Sequence, residues 1–173
     1  MAMPEAEWTI VFDIDGTLLE CRDEATGINE KLVIHKEVIA LRPGLFELLS
    51  YCLSKHNVVL WSAGHNSYVS EINELLFAHT GRRCQYSQEN CHIGDTYVHK
   101  ILRYEGLDTP KTITVDDRED TAVYNEFAHF IRVREFRATD PDSHTDIVLH
   151  QVRSTIETIV LENPQSRQQF NIL

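Results

Sequence analysis

The sequence predicts an α/β protein: a Rossmann-like, mostly parallel sheet with helices on both faces and a small flap hairpin after the first strand. Three observations carry this. Apolar runs at 8–12, 57–61, 112–116 and 129–133 are too short for helices and read as buried strands. Stretches with helical apolar spacing lie between them, as βα units require. Finally, polar residues stand directly after three of those strands: Asp13 and Asp15, then Ser62, then Asp116 and Asp117. Ligands in such sheets bind beyond the carboxyl ends of the strands.

Taken in order, 8–12 is the first strand. Residues 18–40 read as a loop with a small hairpin, because 31–39 is rich in β-branched residues. In 42–56, Leu45, Leu48, Leu49, Cys52 and Leu53 fall at helical spacing, with Pro43 placed for a helix start. The second strand, 57–61, leads to an amphipathic helix at 66–79, stopped near Gly81. Residues 81–94 are polar and irregular, and 95–105 reads as a short helix carrying Lys100 and ending at Gly106. Strand 112–116 follows Pro110. A helix at 118–127, a strand at 129–133 and a helix at 145–161 complete the pattern; the last has Ile147, Val148, Val152, Ile156 and Ile159 on its apolar face. The expected organisation is a single domain over 1–162 with its flap at about 18–40. The polar tail 163–173 is expected to be disordered.

The chain of 173 residues is 42% hydrophobic and 25% charged, values typical of a soluble globular domain with a real core. No apolar run approaches the roughly 20 residues of a membrane helix. The first residues lack the basic and apolar regions of a signal peptide, so a cytoplasmic or nuclear setting is expected. The net charge of −11 argues against nucleic acid as a partner, since phosphate backbones are held by clustered Lys and Arg. Arg132, Arg134 and Arg137 read as a solvated face rather than a basic patch. Cys21, Cys52, Cys84 and Cys91 form no C-x-x-C pair. Cys84 and Cys91 are too far apart for a zinc knuckle, although His79 and His92 lie near. Four reduced thiols are expected.

Side chains at i and i+2 of a strand share a face, so Asp13 and Asp15 point the same way if the first strand continues through them. Asp-Gly by itself is an ordinary turn signal. Acids gathered from two strand ends, however, need a compensating cation. Oxygen-only ligands suit Mg²⁺, which keeps several waters and binds one or two carboxylates plus a phosphate. Asp13 could attack phosphorus as a carboxylate nucleophile, and Asp15 could protonate the leaving oxygen and later activate water. Ser62 could donate to a phosphoryl oxygen, and a lysine could neutralise transition-state charge. Lys100 and Lys111 are the candidates; Lys111 precedes its strand at the wrong end, which favours Lys100. Thr17, Ser62, Ala63 and Lys100 are the candidate substrate-binding residues.

The series Asp13-Ile14-Asp15-Gly16-Thr17-Leu18, Ser62 after 58–61, Lys100, and Val115-Asp116-Asp117 resembles the four ordered motifs of the haloacid dehalogenase (HAD) superfamily. More narrowly, 41–49 (LRPGLFELL), 97–100 (YVHK) and the segment 140–149 resemble the phosphatases of the RNA polymerase II carboxy-terminal domain and their small relatives. Gly16 after Asp15 and the 61–66 segment (WSAGHN) depart from that narrower group. The resemblance implies Asp13 as nucleophile and Asp15 as acid/base. It also implies Mg²⁺ held by Asp13, the Asp15 carbonyl and an acid of the Asp116/Asp117 pair.

Superfamily members that handle small metabolites usually carry a cap domain. The intervals from Asp15 to Ser62 and from Ser62 to Lys100 are too short for a large one. An open site implies a macromolecular substrate, and a phosphoprotein or phosphopeptide is the first expectation. His35, Lys36 and Arg42 could shape its groove or simply be solvated. A small phosphate ester or sugar phosphate is the alternative, and a non-enzymatic Mg²⁺-binding module is the alternative outside enzymes. A signalling receiver domain gathers similar groups but in another order. The sequence leaves oligomeric state open.

Overall fold

The computed structural model describes residues 8–22, 31–34, 37–78, 84–93 and 98–173. The apolar runs form strands where expected: β1 is Thr9–Phe12, and it is followed by β2 (Leu19–Arg22), β3 (Lys31–Ile34) and β4 (Glu37–Leu41). Then come α1 (Leu45–Lys55), β5 (Asn57–Trp61), α2 (Asn66–Phe77) and β6 (Cys84–Tyr86). Short strands β7 (His92–Ile93) and β8 (Val98–His99) precede β9 (Thr112–Asp116). Helix α3 (Asp120–Val123), β10 (His129–Val133), α4 (Val148–Glu162) and β11 (Gln169–Ile172) end the chain.

Six strands make one sheet in the order β11-β10-β9-β1-β5-β6, with every neighbouring pair parallel. A sheet buried on both faces explains why its central strands β1 and β5 are nearly continuous apolar runs rather than alternating ones. Ile10 and Phe12 of β1 point to one face, where they pack with Leu45, Leu48 and Leu49 of α1, Val69 and Ile72 of α2, and Val152 and Ile156 of α4. Val11, Val59 and Trp61 point to the other, covered by Leu102 and Ala128. Truncating Phe12, which is fully buried, would cost about 3–5 kcal/mol.

The flap is a three-stranded antiparallel sheet, β2-β4-β3. It is one strand larger than a hairpin, because Leu19–Arg22 continues from the first motif and pairs with β4. The flap, α1 and β5 are the elements between Asp15 and Ser62 among the described residues, and no cap domain occurs among them.

Four expectations are corrected. The region around Lys100 is not a helix: β8 leads into it, and a 3-10 turn, Leu102–Glu105, follows it. The Asn125 side chain explains this, accepting the Leu102 N–H (2.9 Å) and donating to the Lys100 carbonyl (3.4 Å). The helix expected over 118–127 is the single turn α3. The Asp108 carboxylate takes the N–H groups of Glu126, Phe127 and Ala128, each at 2.8 Å, and ends it. The irregular 81–94 segment contributes edge strand β6 beside β5. The polar tail forms β11 at the opposite edge, where Phe170 and Ile172 alternate with polar residues and pack on the core. That alternation is the period of a half-buried edge strand.

Candidate active site

Neighbouring strands β9, β1 and β5 end level with one another, with Phe12 opposite Leu60 and Val115. Their carboxyl ends therefore deliver Asp13, Ser62, Asp116 and Asp117 to one edge, as the spacing predicts. Asp13 still donates its N–H to the Val115 carbonyl (2.9 Å), after which the chain leaves the ladder and turns. The turn closes through Leu18 N–H to the Ile14 carbonyl and Gly16 N–H to the Leu19 carbonyl, both 2.9 Å. Gly16 has φ +77°, and a Cβ there would lie 2.7 Å from Asp117 Oδ2. Only glycine suits both the left-handed backbone and that close approach.

Because of this turn, Asp13 and Asp15 do not share a face as a continuing strand would require. Asp13 is buried; Asp15 is exposed. Asp13, Asp116 and Asp117 present carboxylate oxygens within 4.8 Å of one another. Lys100 Nζ bridges two of them, donating to Asp13 Oδ1 (2.6 Å) and Asp116 Oδ2 (2.9 Å). Thr17 Oγ1 donates to Asp13 Oδ2 (2.9 Å) and accepts the Asp117 N–H (3.1 Å). Asp116 is fixed further by the Thr121 hydroxyl (2.9 Å) and the Arg118 N–H (3.0 Å).

The electrostatics are those of a site short of positive charge. Burial, then the neighbouring Asp116, pushes Asp13 well above the usual carboxylate range, despite the opposing pull of Lys100. Burial also raises Asp117. Burial acts to lower Lys100, but Asp116 and Asp13 outweigh it and hold the ammonium charged. Three carboxylates with one bridging ammonium leave net negative charge in a buried oxygen-rich pocket, and this fits a hard divalent cation such as Mg²⁺.

The Asp15 carboxylate lies apart from that cluster. Its Oδ2 accepts from the Ser62 hydroxyl (3.2 Å) and its Oδ1 from the Tyr68 hydroxyl (2.6 Å). Ser62 is held by the Gly64 N–H (3.0 Å). Ala63 follows it, partly exposed. Thus Asp13, Thr17, Lys100, Asp116 and Asp117 meet directly, whereas Ser62 meets Asp15 beside them. Tyr68 was absent from the expectations; its only sequence signal was a place in the first turns of an amphipathic helix.

Lys111 lies at the opposite end of the sheet, over the Trp8 ring (5.0 Å). His35, Lys36 and His79 lie outside the described residues, and so does the Cys84 side chain. Cys52 and Cys91 are free thiols. Arg42 neither lines a groove nor is solvated. It is fully buried and forms a two-pronged pair with Asp146 (3.1 Å at each contact), while donating to the Thr17 carbonyl (3.1 Å). The basic residues of the 132–137 segment have acidic partners: Arg132 with Glu119, Arg134 with Asp146, Arg137 with Glu135.

The family profile described as NLI interacting factor-like phosphatase matches residues 8–166. No curated protein gives a significant match. Among solved structures, Fcp1, an essential RNA polymerase II CTD phosphatase, superposes with a TM-score of 0.59 at 16% identity, over 92% of this chain and 52% of that one. A fission yeast Fcp1 variant bound to beryllium fluoride superposes with a TM-score of 0.57 at 18% identity, over 92% and 53%. The chain therefore spans about half the length of these structures, and at such identities the likeness is one of fold.

Proposed function

From the premise that the chain belongs to the NLI interacting factor-like phosphatase family, we propose that it is a Mg²⁺-dependent phosphomonoester phosphatase acting through an aspartyl-phosphate on phosphoproteins. The observation that carries this reading is the buried meeting of Asp13 with Lys100, Thr17, Asp116 and Asp117. An Asp13 oxygen bonds to phosphorus while the ester bond breaks, and Asp15 gives the leaving oxygen its proton. Water then attacks the acyl phosphate and returns a proton to Asp15, releasing phosphate and free Asp13. Lys100 and the Ser62 hydroxyl stabilise the negative phosphoryl oxygens. Bound by Asp13, the Asp15 carbonyl and an acid of the Asp116/Asp117 pair, Mg²⁺ would neutralise charge on both carboxylates and phosphate.

The protein substrate rests on the open edge of the sheet. Among the described residues no cap domain covers the strand ends, and both superposed structures are named as phosphatases of a polymerase tail. The test is phosphate release, with Mg²⁺, from phosphotyrosine, phosphoserine and phosphothreonine peptides beside small phosphate esters. Preference for one peptide class supports the reading; turnover of sugar phosphates and small esters alone contradicts the protein substrate.

A further inference from the structure

The Asp15 carboxylate is held at both oxygens by hydroxyl groups from outside its own motif, and the two anchors differ in what else they must do. Ser62 donates to Oδ2 at 3.2 Å, and it is the residue to which the proposed function gives a phosphoryl oxygen. A serine hydroxyl has one proton to donate, so Ser62 releases Oδ2 when it turns to the phosphoryl group. Tyr68 donates to Oδ1 at 2.6 Å and has no second acceptor to serve. Its ring packs against the main core and touches Gly64, with the site for a Cβ on that glycine 3.0 Å from Tyr68 Cδ1. The phenol is thus fixed by α2 rather than by its hydrogen bond.

We propose that Tyr68 is the positioning residue for Asp15: it grips Oδ1 throughout the cycle, so that Oδ2 is the oxygen that carries the proton to the leaving group. The inference rests on the reading of Asp15 as acid/base. In the first step an Asp13 oxygen forms a bond to phosphorus and the bond from phosphorus to the leaving oxygen breaks. That oxygen takes the electron pair and the Asp15 Oδ2 proton. In the second step a water oxygen bonds to phosphorus, its proton goes back to Oδ2, and the Asp13–phosphorus bond breaks. Tyr68 keeps its own proton in both steps, as the donor of the 2.6 Å hydrogen bond to Oδ1. It supplies orientation only. Without it, a carboxylate exposed on a turn could rotate, and a misplaced proton donor loses much of its benefit.

Loss of a positioned proton donor has a signature that structural damage does not share. A leaving group that is stable as an anion needs little protonation, whereas a poorer one needs it in the transition state. The experiment compares kcat/KM for phenyl phosphate and para-nitrophenyl phosphate, both with Mg²⁺, in the wild type, Tyr68→Phe and Asp15→Asn. For Tyr68→Phe, kcat/KM is expected to fall on the order of tenfold or more for phenyl phosphate, and by much less for the nitrophenyl ester. Asp15→Asn shifts the ratio the same way and further. An equal fall for both esters in Tyr68→Phe, with the ratio shifted in Asp15→Asn, overturns the role of Tyr68 and leaves the acid/base reading standing. An unshifted ratio in Asp15→Asn overturns that reading and the inference together.

Discussion

Two sets of buried charges flank the loop after β1, and they are built on opposite plans. On one side, Arg42 and Asp146 make a matched pair. Two parallel contacts of 3.1 Å satisfy the carboxylate, and the guanidinium also reaches the Thr17 carbonyl and lies 5.5 Å from the Phe136 ring centre. Asp146 in turn accepts the Val148 N–H at the start of α4 (2.9 Å). Burial would raise Asp146, but these donors, Arg42 foremost, hold it below the usual range. On the other side, Asp13, Asp116 and Asp117 share Lys100, and Asp13 is driven upward. The first set is balanced and ties the loop to α4. The second is left unbalanced where a cation and a phosphoryl group would complete it. On the proposed reading, burial of charge marks structure in one place and chemistry in the other, and the charge balance tells them apart.

That contrast predicts opposite responses to mutation. Asp13→Asn should lower kcat by about 10⁴-fold or more, the scale of losing a nucleophile. The same change should raise the stability of the metal-free protein by about 1 kcal/mol, as relief of a functional site's buried repulsion commonly does. Denaturant melts of both proteins check this; a large loss of stability would erase the contrast. Asp146→Ala should do the reverse, costing about 3–5 kcal/mol because it strands the Arg42 charge in the interior.

Mg²⁺ should sharpen the difference. At a hundredfold excess over its dissociation constant, a ligand bound only by the folded state adds about 2.7 kcal/mol. This stabilisation should survive in Asp146→Ala, measured against its own metal-free midpoint, and be lost when Asp13 is replaced. The smallest effect is on pH. Asp146 is depressed from its usual 3.8, so its contribution is complete above that value and is lost as pH falls through the folded pKa. Acid melts should be less steep in Asp146→Ala than in the wild type; equal slopes would remove Asp146 as a source of acid sensitivity.

Much of the site was legible because strand ends are legible. The short strand segments read at 57–61, 112–116 and 129–133 became strands with those bounds, and a parallel sheet brings such ends together. What escaped was set by side chains acting across long sequence distances. Nothing local says that Asn125 holds the Lys100 segment extended, or that Asp108 ends α3 by taking three backbone N–H groups. Arg42 and Asp146 are 104 residues apart, and each alone reads as an ordinary surface charge. Tyr68 looked like one more residue of an amphipathic helix, since only the fold brings its hydroxyl to Asp15.

The central claim is that Asp13 accepts the phosphoryl group, and the most direct measurement is mass spectrometry of the protein acid-quenched during turnover of a phosphopeptide with Mg²⁺. The account predicts the added mass of a phosphoryl group on the peptide containing Asp13, removed by hydroxylamine and absent from Asp13→Asn. Active enzyme whose quenched samples place that mass on another residue would contradict it, as would unimpaired turnover by Asp13→Asn.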